Sequence, residues 1–156
     1  MRLKSFFLVL GSLFVLQPAL HAQRERFSID DLNFLDQNYP NALKTTTGIR
    51  YIVQKEGQGD EPKAGDRVNV LYEGRLLDGT LFDKATDKTH PFSFRLNRQQ
   101  VIAGWDQIVK QMKPGEKILA ILPAELAYGS RGQSPKIPRD AALIFTIELI
   151  SIDRLN

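Results

Sequence analysis

The 156-residue chain has no cysteine and only two histidines. Without thiols it can form no disulfide, no thiolate nucleophile, no cysteine-held metal site and no cysteine-anchored lipid. His21 falls in an amino-terminal segment with the marks of an export signal, which leaves His90 as the one imidazole beyond it. A zinc centre with two or more histidines cannot be assembled in one such subunit, and a Ser/His/Asp triad would have to use His90. His90 lies in the polar stretch DKATDKTHPF, which reads as an exposed loop. The chain contains no G-x-S-x-G, no G-x-G-x-x-G and no phosphate-binding loop. An enzyme made from it is expected to work without acid-base, metal, covalent or cofactor chemistry.

The export signal is read over residues 1–22. Arg2 and Lys4 precede the apolar run FFLVLGSLFVL, Pro18 interrupts the pattern, and Leu20-His21-Ala22 places a small residue before Gln23. The run from Phe6 to Leu16 is 11 residues long, against roughly 20 for a membrane span. Cleavage is therefore the expectation, with no stable membrane insertion afterwards. Removing the segment lowers Lys+Arg from 21 to 19 against 18 Asp+Glu, so the net charge falls from +3 to +1. That balance gives no reason to expect a nucleic-acid partner or an anionic membrane surface. With 42% hydrophobic and 25% charged residues, the rest is of ordinary globular composition and suits one domain.

Residues 23–45 mix charges, amides and Pro40 with scattered apolar positions, and read as a polar tether with one turn of helix around Asp30 to Asp36. The compact domain is expected over 46–156. Ile49, Tyr51 and Val53 alternate with polar neighbours, as do Val68, Val70 and Tyr72. Asp78-Gly79 is a two-residue hairpin signal that returns the chain through Leu81 and Phe82. Phe92, Phe94 and Leu96 form a further alternating set. So do Ile118, Ala120 and Leu122, and Leu143, Phe145, Ile147 and Leu149. Between them, Val101, Ile102, Trp105, Ile108, Val109 and Met112 share one face of a 3.6-residue period, with Asn97 as a cap and Pro114-Gly115 as the stop. The pattern predicts an α+β fold in which an antiparallel sheet of five or six strands curls over one short helix. Trp105, the only tryptophan, points at the concave face.

The segments VLYEGRLLDGTLFD, PFSFRL, VIAGWDQIVKQMKPGEK, LAYGSRG and IPRDAALIFTIELI stand in the order and spacing of the FKBP-type peptidyl-prolyl cis-trans isomerases, which the chain resembles over about residues 46–153. The resemblance implies a strongly bent sheet around a short helix, with a proline pocket between them. It assigns Asp83, Tyr128, Trp105 and Phe82 to catalysis and Tyr72, Phe92, Val101, Ile102, Ile137 and Phe145 to substrate binding. Trp105 would be the floor under the proline ring. The Tyr128 hydroxyl and Ile102 N–H would hold substrate carbonyls, and Asp83 would act electrostatically rather than as a base. Gly104 would let ligand and backbone approach, and Gly129 would serve the turn that projects Tyr128.

The implied partners are proline-containing unfolded or partly folded polypeptides, with macrolide inhibitors as possible ligands and the protein expected to be monomeric. The signal adds export, to a Gram-negative periplasm or otherwise a secretory lumen. A non-catalytic proline-binding module or chaperone is the alternative function. The chain departs from the family pattern in SRGQSPKIPRD, where Lys136 takes a place commonly aliphatic at the pocket mouth. That puts macrolide binding and the preference beside proline in question.

Overall fold

The computed structural model describes residues 26–154. The expected signal segment lies outside the described residues. Seven strands form one sheet: β1 (Leu43–Lys44), β2 (Arg50–Lys55), β3 (Arg67–Leu76), β4 (Leu81–Ala85), β5 (Phe92–Arg95), β6 (Lys117–Leu122) and β7 (Leu143–Asp153). Their order is β1-β2-β6-β7-β3-β4, with β5 also paired to β3, and every pairing is antiparallel. The strand count exceeds the expected five or six because β1 is only two residues long and carries no alternating pattern to announce it.

The long strand β3 organises the site. On one side it pairs with β7 along its whole length. On the other, Tyr72–Arg75 pair with β4 and Arg67–Val70 pair with β5. The chain thus leaves and rejoins the same edge of β3, and residues 86–91 bridge the gap between the two short strands. The hairpin into β4 is closed as the Asp-Gly signal predicts. Gly79 adopts φ +89°, the Asp78 carboxylate accepts the Thr80 N–H at 2.8 Å, and Leu76 N–H bonds Thr80 C=O at 2.9 Å.

The concave face carries the core. Val68, Val70, Ile118, Ala120, Leu122, Leu143, Phe145, Ile147 and Leu149 are all buried there, packed with the helix α2 (Ala103–Val109). Trp105, Ile108, Val109 and Met112 supply the helix side, the face that the 3.6-residue spacing predicts. Asn97 does not cap this helix. The residue before the first turn is Ile102, without a side-chain cap, and Asn97 sits at φ +54° with its N–H donated to Asp106 Oδ1 at 2.8 Å. A carboxylate in the first turn holds the approaching loop, the reverse of the expected donor and acceptor.

The described part of the segment expected as a polar tether, residues 26–45, is folded onto the opposite face. Helix α1 (Ile29–Asn38) begins at Ser28, whose hydroxyl accepts the Asp31 N–H at 3.1 Å, with Asp30 and Asp31 beside the positive end of the helix. Leu35 is completely buried, and with Phe27 it packs against Ile121, Ala142 and Ile144. Arg50 fixes the far end of the helix through Asp36 at 2.8 Å. The clue was in β6: in KILAIL, Ile118, Ala120 and Leu122 serve the concave core, so the apolar Leu119 and Ile121 between them need a cover of their own. Phe27 and helix α1 supply it through few apolar side chains, too irregularly spaced to be read as an amphipathic helix.

Candidate active site

A cavity of about 190 Å³ opens between α2 and the concave face. Nine of the ten residues assigned by resemblance line it: Tyr72, Phe82, Asp83, Phe92, Val101, Ile102, Trp105, Tyr128 and Phe145. Ile137 does not. It is buried in the core cluster, where it exchanges backbone hydrogen bonds with Gln133 and anchors the loop beside the cavity. Gln100 lines the cavity without having been foreseen. Its side-chain oxygen accepts the Arg95 N–H at 2.8 Å, so it ties the loop before α2 to β5. A glutamine in a polar loop carries no sequence signal for such a place.

Trp105 stands among four aromatic rings. Tyr72 (4.8 Å between centroids, 87°), Phe145 (5.4 Å, 86°) and Phe92 (6.0 Å, 81°) meet it edge to face, and Phe94 meets it tilted at 5.8 Å. Such edge contacts hold a ring in one orientation. The indole is 4% exposed, and its N–H is buried without a hydrogen-bond partner among the described residues. For a side chain that served packing alone, that unpaired donor is a cost phenylalanine would avoid. Phe92 and Phe94 divide their work: Phe92 lines the cavity at 37% exposure, while Phe94 is buried behind it.

Phe82 and Asp83 are consecutive yet both line the cavity. In a regular strand adjacent side chains point to opposite faces. Here Gly74 pairs with Asp83 and Arg75 with Leu81, so Phe82 is the extra residue of a bulge, which turns both side chains to the same side. Gly74 opposite this bulge makes room for it. A Cβ there would lie 2.6 Å from Phe82 Cζ and 2.8 Å from Phe145 Cε1, whose rings meet at 5.7 Å and 88°. Gly104 has a different task from the expected one. Its missing Cβ would meet Leu122 Cδ1 at 2.6 Å and Leu126 C=O at 3.0 Å, so it serves the approach of helix to sheet. Gly129 does adopt the left-handed φ of +55° at the turn after Tyr128.

The polar groups fall into two kinds. The Tyr72 hydroxyl is engaged, donating to Asp83 Oδ2 at 2.7 Å, and Asp83 Oδ1 accepts the Lys84 N–H at 2.9 Å. Burial first, and then the Asp83 carboxylate, push the Tyr72 pKa well above the ordinary tyrosine value. Tyr128 is raised for the same two reasons in the same order. Its hydroxyl, however, has no hydrogen-bond partner among the described residues. The Ile102 N–H, just before the first turn of α2, is likewise without an acceptor. The cavity thus offers two free donors above an aromatic floor. His90 is outside it, exposed on the loop after β4 and bonded to Asp87 and Thr89.

A sequence model of the family described as FKBP-type peptidyl-prolyl cis-trans isomerase matches residues 59–150. The chain is 46% identical over 110 residues to the FKBP-type peptidyl-prolyl cis-trans isomerase FkpA of Aeromonas hydrophila, a match covering 70% of this chain and 40% of that protein. It is 41% identical over 107 residues to the FK506-binding protein 1A of Aspergillus fumigatus, covering 68% of this chain and 96% of the relative. Among solved structures, a peptidyl-prolyl cis-trans isomerase from Pseudomonas syringae superposes with a TM-score of 0.71 at 34% identity, over 80% of this chain and 92% of that one. FkpA from Escherichia coli gives 0.70 at 37% identity, over 80% and 57%. The chain therefore spans less than half of the Aeromonas relative but nearly all of the fungal one. With the family model matched over more than half of its length and the fold shared with solved members, the chain belongs to the FKBP-type peptidyl-prolyl cis-trans isomerases.

Proposed function

We propose that the protein accelerates cis-trans rotation about X-Pro bonds in exported polypeptides. The observation that carries this reading is the cavity itself, an indole floor walled by aromatic rings with two unengaged donors at its rim. Rotation about the bond crosses a barrier of about 18–20 kcal/mol, because twisting removes amide resonance. The twisted amide is less polar than the planar one, so an apolar cavity destabilises the planar state relative to the twisted one. Each ~1.4 kcal/mol of that difference is a tenfold gain in rate. Trp105 supports the proline ring, with Phe82, Phe92, Val101 and Phe145 around it. The Tyr128 hydroxyl and Ile102 N–H hold the flanking carbonyls, so the proline ring stays fixed while the preceding carbonyl turns.

Tyr72 has a supporting role in this scheme. Its hydroxyl is committed to Asp83, and the pair holds the carboxylate against the rotating amide as a fixed charge. Asp83 shifts no proton. Export, with a periplasm as the compartment, is supported by the charged and apolar pattern of residues 1–22 and is tested by finding Gln23 at the mature amino terminus.

The activity is tested by following exchange of a proline peptide with the full chain and with Trp105→Leu, which keeps apolar volume but removes the floor. Wild type accelerates exchange, and the variant loses at least tenfold in kcat/KM with an unchanged circular dichroism spectrum. Binding of the peptide without acceleration by wild type would instead identify a proline-binding module.

A further inference from the structure

A second cavity, of about 270 Å³, adjoins the aromatic one and shares Phe82 and Asp83 with it. Its other walls are Gln133, Ser134, Pro135 and Lys136. These belong to the segment SRGQSPKIPRD that follows Tyr128 and Gly129. The turn that carries them is held at its root. Gln133 N–H bonds Ile137 C=O at 2.8 Å, Ile137 N–H bonds Gln133 C=O at 2.9 Å, and Ile137 is 2% exposed. Gly132, at φ +61°, passes so close to Ile137 and Pro138 that a Cβ would lie 2.5 Å and 2.6 Å from their carbonyl oxygens. Lys136 therefore extends from a fixed backbone into the wall of a cavity that opens beside the proline site.

The segment is net positive. Residues 129–140 contain Arg131, Lys136 and Arg139 against one carboxylate, Asp140. None of the three cations makes an ion pair among the described residues, whereas Arg26, Arg50 and Arg154 pair with Glu125, Asp36 and Asp66. Asp83 shares the second cavity but does not take Lys136 as a partner. Its oxygens accept from the Tyr72 hydroxyl and the Lys84 N–H, and no ion pair links it to Lys136 among the described residues. One unpaired ammonium is thus left on the wall next to the bed for the proline ring.

We propose that this second cavity is a charge-reading subsite in which Lys136 Nζ binds the carboxylate of a glutamate or aspartate within two residues of the isomerised proline. Consecutive Cα atoms are about 3.8 Å apart, so a residue one or two places along the chain reaches a cavity that shares walls with the first. Arg131 and Arg139 stand on the same segment and add to its positive charge, a contribution that salt screens. The preference is for acidic over neutral or basic neighbours of proline, and it rests on the isomerase reading above.

The test compares peptides that carry Glu, Gln or Lys at each of the two positions on either side of the proline. The readout is the ratio of kcat/KM for the Glu and Gln peptides in one sample of the full chain, which cancels differences in folded fraction. At one or more positions the wild-type ratio should be roughly two- to fivefold, the range of an exposed ion pair, and fall toward one at about 1 M salt. Lys136→Gln should bring the ratio to about one and Lys136→Glu should invert it. A ratio that is the same in wild type and both variants at every position overturns the subsite while leaving the isomerase intact. If the wild type isomerises none of the peptides, the isomerase reading fails, and the subsite fails with it.

Discussion

The Tyr72 hydroxyl donates to Asp83 Oδ2 at 2.7 Å, across the paired strands β3 and β4 at the wall of the cavity. The two residues are 11 positions apart, and the bond exists because the bulge at Phe82 turns Asp83 toward Tyr72. Removing Asp83 leaves the Tyr72 hydroxyl without its acceptor, and removing Tyr72 leaves Asp83 Oδ2 without its donor. Tyr72→Phe and Asp83→Ala should each lower stability, and the double variant should lose less than the sum. The expected coupling is about 1.5–3 kcal/mol, as for a hydrogen bond to a charged acceptor. Urea unfolding of the four proteins measures it, and strict additivity would show that the bond contributes nothing.

Alkaline titration follows from the raised tyrosines. Tyr72 and Tyr128 hold their protons more tightly in the folded chain than an unfolded tyrosine does, whose pKa is near 10. Below about pH 9 both states are protonated and these groups add no pH dependence. As pH rises through 10 the unfolded chain ionises first, so stability falls, and it goes on falling until the folded pKa is passed. Tyr72→Phe should show a shallower loss of urea midpoint between about pH 9.5 and 11 than wild type. Because the Tyr128 hydroxyl remains a donor, kcat/KM should be flat from about pH 7 to 9. An inflection within that range would remove Tyr128 from its assigned role.

Gly74 is the narrowest point of the aromatic packing. In Gly74→Ala the new methyl must displace the Phe82 and Phe145 rings, neither of which can simply swing a flexible tip away. Overpacking of this kind costs about 1–3 kcal/mol. The displaced rings are cavity walls, so activity per folded molecule should fall as well. Unchanged kcat/KM in a destabilised variant would show that the ring pair can shift without reshaping the cavity.

Helix α1 supports the sheet from the side away from the cavity. Leu35→Ala removes a fully buried side chain between α1 and the sheet and should cost about 2–5 kcal/mol. Leu35 touches no cavity residue, so kcat/KM corrected for the folded fraction should match wild type. Thermal unfolding combined with peptide exchange checks both halves. A variant of wild-type stability would mean that the helix is not held against the sheet in solution.

Much of this protein was legible in the chain as written. Period-two alternation located β3, β5, β6 and β7, the Asp78-Gly79 pair located a turn, and the 3.6-residue spacing around Trp105 located α2 and its buried face. These signals are local: each depends on residues a few positions apart and on the fixed geometry of strand and helix. The aromatic identity of the cavity was also legible, through motifs that keep their order. Other features depended on contacts between distant segments. The bulge that turns Phe82 and Asp83 to one side arises from how β4 meets β3, and nothing in the dipeptide announces it. The task of Gly104 is set by Leu122 and Leu126, the absence of Gly74's side chain by two rings from other strands, and the cover of Ile121 by Leu35 of α1, which stands far back in the chain. The chain by itself determined which elements form and which side chains are apolar enough to be buried. Only the tertiary structure decided which of them meet, because close packing admits one arrangement of surfaces that no local period encodes.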